Sequence, residues 1–216
     1  MVSIHGHRGL GSYHPGWCAG GTALEYTLEK FIEDSRMAAA EYPEFPDVVS
    51  VLAPKMMKLL QGSRDFLKPE HFNDDPHHYA RNAVFVCPED GISLFTMVWN
   101  PGQWTPVHDH GTWGVVGVVK GALEERNFIR IDDRSKDDEG IVLKRGGVSI
   151  LHENSVTTFV PNPDHIHKTG VPDTREQTVT LHLYGREMND YYCYNVATGR
   201  RAHVQVSYRD TSVSGT

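Results

Sequence analysis

The fold is decided by the stretch Gly102-Gln-Trp-Thr-Pro-Val-His108-Asp109-His110-Gly-Thr-Trp-Gly114, which continues Val-Val-Gly-Val-Val-Lys to Gly121. Its valines are β-branched and its glycines and proline act as breaks, so the pattern predicts β-strands and not a helix. Alternate side chains of a strand point to the same face. His108 and His110 are therefore expected to project together, where two imidazoles can meet one metal ion, while Asp109 points away.

The spacing within this stretch resembles the first motif of the cupin superfamily. Gly102 is followed by five residues, the His-x-His pair, a variable slot at Gly114 and six more residues before Gly121. The resemblance implies a small β-barrel that holds a metal inside. Many cupins have a metal-binding Glu at the slot, and because Gly114 has no ligand atom we expect a site of neutral nitrogen ligands. Taken alone, the pair could also lie on a solvated strand face.

Length and charge narrow the class of protein. With 216 residues and no low-complexity linker, the chain is expected to form one domain with an N-terminal extension. The formal net charge of −7, without a Lys/Arg cluster, argues against nucleic acid or an anionic membrane as a partner. No apolar run approaches the ~20 residues of a membrane span, and the start lacks a secretory apolar region, so we place the protein in the cytoplasm. The oligomeric state stays open, and a monomer is compatible with the sequence.

The cysteine spacing and the number of histidines indicate that the histidines are the better candidates for metal ligands. Cys18, Cys87 and Cys193 are an odd number without metal-binding spacing, so neither a disulfide framework nor a zinc knuckle is expected. The 13 histidines are many for this length, and the question is which of them are ligands. His5-Gly-His7 is a second His-x-His pair, but a flexible glycine would not hold a ligand geometry, so we interpret it as part of a solvated terminus.

The N-terminal third is predicted to be helical after a loose start. Residues 1–21 are glycine-rich, and a helix with apolar residues every three or four positions is expected over about Thr22–Ala40, beginning with a capping box. A second helix is expected over about Asp47–Leu60, ending at Gly62. The methionines expected to pack in the core of these helices are Met37, Met56 and Met57.

From Tyr79 to about Tyr208 the chain consists of short β-runs without intervening helices, which implies a barrel or sandwich. With the motif, this predicts an all-β core of the cupin type, a double-stranded β-helix or jelly-roll small barrel with an N-terminal helical extension. We expect residues 1–78 to form the loose segment and helices packed on the barrel, and residues 79–216 the barrel with a C-terminal hairpin, in one structural domain. The predicted strands are Ala83–Cys87, Ser93–Trp99, Val115–Lys120, Leu123–Ile131, Gly140–Lys144, Val148–Leu151, Val156–Val160, Gln177–Tyr184, Tyr191–Val196 and His203–Tyr208.

The resemblance to cupins implies a third ligand on a later strand, after a proline-containing turn. The segment Pro161-Asn-Pro163-Asp-His165-Ile-His167 provides such a turn and another His-x-His pair. The family spacing favours His167, and His165 is then expected at the rim of the barrel. Three neutral imidazoles leave a divalent metal its full charge and open positions, which suits redox chemistry at iron better than a closed structural zinc site.

Five segments follow one another in an order typical of one family: Tyr79-Ala-Arg81-Asn82, His108-Asp-His110, His167, Thr180-Leu-His182-Leu-Tyr184 and Cys193-Tyr-Asn-Val-Ala-Thr-Gly199. Over about residues 79–208 the chain resembles the cysteine dioxygenase family. In that family three histidines bind ferrous iron, an Arg in a Tyr-x-Arg-Asn segment holds the substrate carboxylate, and a Ser-x-His-x-Tyr run lies beside the metal. The resemblance therefore implies iron ligands His108, His110 and His167, substrate binding by Arg81 and Tyr79, and a catalytic relay of Thr180, His182 and Tyr184.

Three positions depart from the family pattern. The animal enzymes have at the variable slot a Cys that crosslinks to the tyrosine, whereas Gly114 cannot form that bond. Thr180 replaces Ser and keeps the hydroxyl, and Val171 replaces an Asn that often follows the third histidine. The glycine at the slot resembles the bacterial thiol dioxygenases, including those that act on 3-mercaptopropionate.

Structural explanations stay open for the polar residues outside the ligand set. Arg81 could form a surface ion pair, and His182 and Tyr184 could be ordinary inward-facing strand residues. Period two puts both of them on one face with Thr180, and burying three polar groups without partners costs about 1–3 kcal/mol each, which favours a relay. Candidates for a second substrate clamp, each expected at the surface, are Arg186, Arg200 and Arg201.

The function expected from this resemblance is that of a mononuclear Fe(II) thiol dioxygenase. Such an enzyme would add both atoms of O₂ to a small carboxylate-bearing thiol, such as cysteine, 3-mercaptopropionate or mercaptosuccinate, and release the sulfinate. Two alternatives come from other classes. One is a non-catalytic, metal-dependent cupin that senses or binds a small molecule, and the other is a cupin isomerase or carbon-directed oxygenase.

Overall fold

The computed structural model describes residues 26–61, 66–161 and 165–209. The predictions for residues 1–21, His5, His7, Cys18 and the helix end at Gly62 lie outside these ranges. Cys87 and Cys193 are free thiols. Neither described α-helix combines the length and the apolar composition that crossing a bilayer requires.

Two α-helices precede the barrel. The first, α1, comprises Leu28–Glu41, and the Thr27 side chain caps it by accepting a hydrogen bond from the backbone N–H of Lys30 at 3.2 Å. The predicted start at Thr22 is therefore wrong, because the capping residue lies five positions further along and Thr27 is itself extended. The second helix, α2, comprises Phe45–Gln61, close to the prediction.

Only one of the three methionines predicted for the helix core lies there. Met56 is fully buried, whereas Met37 and Met57 are 56% and 41% exposed. Adjacent positions of a helix point about 100° apart, so Met56 and Met57 cannot both face the sheet. The close approach of α2 to the barrel depends on Gly117, where a Cβ would come within 2.6 Å of Leu60 and 3.1 Å of Met56.

Eleven strands form two antiparallel sheets in the described residues. They are β1 (Ala80–Val86), β2 (Ser93–Trp99), β3 (Val107–His108), β4 (Gly114–Lys120), β5 (Ala122–Arg130), β6 (Leu143–His152), β7 (Val156–Phe159), β8 (Ile166–Gly170), β9 (Thr178–Tyr184), β10 (Asp190–Asn195) and β11 (Arg200–Gln205). One sheet has the order β1-β2-β9-β4-β7, and the other β11-β10-β3-β8-β5-β6. This arrangement of two sheets confirms the predicted double-stranded β-helix with N-terminal helices.

Several strand boundaries differ from the predictions. The strand β1 begins at Ala80, three residues early, and so includes Arg81. Two predicted strands, Gly140–Lys144 and Val148–Leu151, are one long strand, β6, and the last strand β11 lies earlier than predicted. The short β8 was not among the predicted strands, because a proline-containing turn precedes it and only five residues form it. The division of the chain at residues 78 and 79 stays a prediction.

The alternation of strand β9 separates the structural core from the interior of the barrel. Val179, Leu181 and Leu183 pack with the helices in one hydrophobic cluster. Tyr184 belongs to a second cluster with Phe95. Every residue of β9 is buried, because the helices cover the outer face of the sheet and the second sheet covers the inner face. Polar side chains of β9 therefore face an enclosed space and require partners there.

Candidate metal centre and substrate cavity

Three of the histidines selected from the sequence lie together inside the barrel. Strand β3 carries His108, the turn after it carries His110, and β8 carries His167, which pairs directly opposite His108. One ring nitrogen from each lies within 4.8 Å of the others, and all three residues are buried. His165 lies outside this group and forms a second one with Glu125 and His167. The structure thus brings together the predicted ligand set, including the preferred member of the later His-x-His pair.

The three imidazoles are held in the neutral form. Burial, and next the proximity of His167, keep the pKa of His108 well below its ordinary value. Burial and the neighbouring His108 do the same for His110, and burial lowers the pKa of His167. A neutral imidazole has a free lone pair, which is the form that binds a metal ion.

The hydrogen bonds of the histidines leave nitrogen atoms for a ligand. Nδ1 of His108 lies 3.0 Å from the carbonyl oxygen of Pro106, to which it donates, so Nε2 carries the lone pair. Nε2 of His167 and Nδ1 of His110 are buried and have no hydrogen-bond partner among the described residues. Buried polar atoms of this kind are rare in folded proteins unless an ion or a water molecule binds them. These residues therefore fit a metal ion bound by three neutral nitrogens.

The turn that carries His110 is anchored from two sides. The Asp109 carboxylate points away from the cavity, as predicted, and accepts hydrogen bonds from the Tyr194 hydroxyl at 2.7 Å and the Tyr192 backbone N–H at 3.2 Å. Arg186 donates to the carbonyl oxygen of His110 at 3.1 Å and pairs with Asp190 at 2.8 Å. Arg186 is therefore a structural anchor and not a second substrate clamp.

The other two candidate clamps also lie away from the cavity. Arg200 is highly exposed and lies 3.7 Å from Glu139. Arg201 pairs with Asp138 at 3.0 Å, and its guanidinium lies 4.1 Å from the ring centroid of Tyr192. Arg200 therefore has the surface position that was expected, whereas the Arg201 side chain is only 17% exposed, and neither lines the cavity.

Arg81 is a buried cation that faces the cavity between the two sheets. Within the described residues no ion pair joins it to a carboxylate, unlike other arginines of the chain. Its guanidinium donates to the carbonyl oxygens of Met188 and Ser207 and lies 5.0 Å from the centroid of the Phe95 ring. The alternative of a surface ion pair is therefore wrong. A buried guanidinium without an anion is unfavourable, and an anionic ligand in the cavity would compensate for it.

Tyr79 lines the same cavity beside Arg81. Its ring stacks on Trp99 with the centroids 4.6 Å apart, and its hydroxyl oxygen lies 3.5 Å from that of Tyr191. Tyr79 is thus held by packing, with its hydroxyl near that of Tyr191.

The polar residues of β9 form one chain of hydrogen bonds that begins at Trp99. The indole N–H donates to Oγ1 of Thr180 at 2.9 Å, and that oxygen lies 2.8 Å from Nε2 of His182. Nδ1 of His182 lies 3.1 Å from the Tyr184 hydroxyl oxygen. Because an indole N–H can only donate, the Thr180 hydroxyl hydrogen is left for His182, its closest acceptor.

This chain sets the proton positions of His182 and Tyr184. Burial, and then the nearby His167 and Arg81, lower the pKa of His182 to about 3, so the ring is neutral. With Nε2 accepting from Thr180, Nδ1 holds the proton and donates to the Tyr184 oxygen. Burial raises the pKa of Tyr184, so its hydroxyl keeps its hydrogen and can direct it into the cavity. The relay thus presents a proton donor beside the histidines.

Three residues of the site were not predicted from the sequence: Trp99, Glu125 and Phe159. A signal existed for two of them. Counting in steps of two from Leu123 puts Glu125 on the inner face of β5. A tryptophan at the end of a largely apolar strand is expected to be buried and to need a partner for its N–H. No local signal pointed to Phe159, because its role depends on its position across the sheet.

Phe159 fills the space at the variable slot. A Cβ at Gly114 would lie 2.2 Å from Cζ of Phe159, a distance that atoms do not tolerate. The Phe159 ring stacks on His110 with the centroids 4.1 Å apart, and on His165 at 4.8 Å. The space that a Glu or Cys side chain would fill at this position in related proteins is thus filled by an aromatic ring from β7. The ring also covers one side of the histidine cluster.

We expect Gly114→Ala to destabilise the metal-free protein by about 1–3 kcal/mol, because the added methyl forces the Phe159 ring to move in a packed core. In a Phe159→Leu background the same change should cost less than half as much, since the ring is gone. Urea unfolding of the four proteins measures this coupling. Gly147→Ala is the control, because a Cβ there meets nothing within 4 Å. Equal costs in both backgrounds would show that Phe159 does not occupy the slot.

Fold and site together define a class: a cupin barrel whose interior holds three neutral histidines and a buried arginine that pairs with no carboxylate of the described residues. The comparison with known families is more specific. The family model described as cysteine dioxygenase type I matches residues 63–195, more than half of the chain, and the chain belongs to that family.

The curated relatives are remote. Cysteine dioxygenase type 1 of Homo sapiens is 22% identical over 138 residues, which cover 62% of this chain and 64% of the human protein. The Bos taurus protein is 24% identical over the same length. The match thus spans less than two thirds of these relatives.

Solved structures with some likeness are also distant. A double-stranded β-helix protein of Klebsiella pneumoniae is 15% identical with a TM-score of 0.42, and the match covers 67% of this chain and 99% of that one. An RmlC-like cupin of Ralstonia eutropha is 13% identical with a TM-score of 0.38, covering 57% and 64%.

Proposed function

We propose that the protein is a mononuclear iron(II) thiol dioxygenase that converts a small carboxylate-bearing thiol and O₂ into the sulfinate. The observation that carries this proposal is the presence, in one cavity, of three neutral histidines and a buried guanidinium that no carboxylate of the described residues pairs with. Both oxygen atoms enter the product, so the thiolate supplies all the electrons and no external reductant is needed. Membership of the cysteine dioxygenase type I family supports the same reaction class.

Each residue of the cavity has a defined part in this proposal. His108, His110 and His167 would hold the iron, which when bound supplies thiolate coordination and electron transfer to O₂. Arg81 would bind the substrate carboxylate with two parallel hydrogen bonds, and Tyr79 would support it. Tyr184, kept protonated by burial and oriented by His182, would donate its hydroxyl hydrogen to negative charge that develops on oxygen. Phe159 excludes water from one side.

The charges of the cavity favour one substrate class among the three considered. Among the described residues that line it, Arg81 is the only lysine or arginine and Glu125 the only carboxylate. Glu125 is already engaged by His167 at 2.7 Å, so the ammonium group of cysteine has no free anionic partner. The second carboxylate of mercaptosuccinate has no second cation. We therefore expect 3-mercaptopropionate, with one carboxylate and no ammonium, to be the best of the three.

Oxygen uptake with a panel of thiols tests the proposal. Iron-loaded protein should consume O₂ with 3-mercaptopropionate at the highest kcat/KM, followed by cysteine and mercaptosuccinate, and with cysteamine at the lowest, since cysteamine lacks the carboxylate. Zinc-loaded protein is the control and should consume none, because zinc has no redox chemistry. Mass spectrometry should find the sulfinate. If iron-loaded protein consumes no O₂ with any thiol, the proposal fails and a binding protein or another cupin enzyme is the better account.

A further inference from the structure

A buried carboxylate lies directly behind one of the candidate metal ligands. Glu125 is on β5, where Asn127 pairs with His167 of β8 and Glu125 itself pairs with Thr169. It is 5% exposed. A carboxylate without water is unfavourable unless hydrogen bonds satisfy it, so its partners identify its role.

The partners of Glu125 are the two histidines of the later His-x-His pair, of which the family spacing favours His167 as the ligand. Its Oε1 lies 2.7 Å from Nδ1 of His167 and 3.5 Å from Nε2 of His165. Only the first distance is that of a strong hydrogen bond. A buried carboxylate oxygen this close to an imidazole nitrogen is a hydrogen-bond acceptor for that nitrogen.

A carboxylate acceptor 2.7 Å from Nδ1 determines the tautomer of His167. Nδ1 must carry the hydrogen and donate it to Glu125, which leaves the lone pair on Nε2. That atom is buried and has no hydrogen-bond partner among the described residues. The bond also fixes the orientation of the ring. The arrangement carboxylate–imidazole–metal orients a ligand and increases its basicity in many metalloproteins.

The other two candidate ligands lack such a partner. Nδ1 of His108 donates to a neutral backbone carbonyl, that of Pro106. For His110, no ion pair with a carboxylate is present among the described residues, unlike for His165 and His167. Glu125 is the only carboxylate that lines the cavity within the described chain. The support is thus directed to one ligand.

We propose that Glu125 is a positioning residue of the metal centre, which selects His167 over His165 as the third ligand and strengthens its bond to the metal. This inference rests on the proposed function in so far as it requires a metal at the histidines. It predicts that the metal affinity and the ligand field at the metal depend on Glu125, although Glu125 does not itself bind the metal.

Cobalt(II) binding to the metal-free protein tests this directly. Glu125→Gln keeps the size and an acceptor oxygen but removes the charge, and we expect it to weaken Co(II) binding by about 10–100-fold, measured by chelator competition. The visible absorption bands of bound Co(II) should shift, because the donor strength of His167 changes. Glu124→Gln is the matched control. Glu124 is the neighbouring residue, its side chain is on the other face of β5, and it pairs with Arg126 at 2.8 Å.

A second variant separates positioning from structural support. Glu125→Asp keeps the charge, but its side chain is one methylene shorter, so the carboxylate lies further from His167. This variant should also weaken Co(II) binding and shift the absorption bands, whether or not its stability differs from that of Glu125→Gln. Thermal unfolding of the metal-free variants reports stability independently. Unchanged affinity and bands in both variants, whatever their stability, would overturn the role of Glu125.

The failure of this inference and that of the proposed function give different results. If His108→Ala loses Co(II) while Glu125→Gln and Glu125→Asp bind it like the parent protein, only the role of Glu125 is rejected. If the parent protein itself binds no Co(II) or Fe(II), the metal centre is rejected, and both proposals fail with it.

Discussion

Replacing His108, His110 or His167 singly by alanine is expected to remove most of the bound iron. All three imidazoles are buried around one point, and their available nitrogens lie within 4.8 Å of one another. A site with only two protein ligands competes poorly with water for the metal ion. Removing a residue that hydrogen-bonds to a ligand already lowers metal affinity by about 10–100-fold, so removing a ligand itself should lower it by ~100-fold or more. Iron content after anaerobic loading and desalting measures the effect.

The controls for this prediction are the other histidines of the His-x-His pairs. His165→Ala should keep its iron, because His165 is partly exposed and lies outside the group of three. His5→Ala should also keep it. The unfolding temperature of each metal-free variant separates loss of a ligand from loss of the fold. Iron that is lost in His165→Ala and retained in His167→Ala would reverse the assignment within that pair.

Arg81→Lys is expected to raise KM for thiols that carry a carboxylate by about 10–100-fold. Hydrogen bonds to charged groups contribute about 1.5–3 kcal/mol, and a lysine cannot reproduce the two parallel bonds of a guanidinium. The substitution keeps the positive charge, so iron content should change little. Steady-state O₂ uptake with 3-mercaptopropionate gives KM and kcat for both proteins.

Two comparisons make this prediction specific to the carboxylate. With cysteamine, which has none, Arg81→Lys and the parent protein should differ by less than about twofold, because the lost interaction is absent in both. Arg200→Lys, at a highly exposed arginine that pairs only distantly with Glu139, should leave every constant unchanged. If cysteamine is the best substrate of the parent protein, Arg81 is not the clamp.

The features determined by the sequence alone are those that follow from local periodicity. A strand alternates its faces every two residues, so the shared face of Thr180, His182 and Tyr184 could be predicted without knowledge of any other part of the chain. His108 and His110 meet as expected, but the strand alternation from which this was predicted does not apply, because His110 lies in the turn after β3. The all-β core followed in the same way from repeated short runs and turns. Local patterns were not sufficient to predict the start of α1. The sequence offers a capping box at Thr22, but the residue that caps α1 is Thr27.

The features decided only by the tertiary structure depend on residues that are distant in sequence. Glu125 lies 42 positions from His167, yet strand pairing brings their side chains to 2.7 Å and distinguishes His167 from His165. The slot at Gly114 is filled from another strand. That Arg81 is buried and pairs with no carboxylate in the described part of the chain is evident only once its surroundings are known. A strand's own residues set which way its side chains point, but the register between strands decides what each side chain meets, because backbone periodicity is local and packing is not.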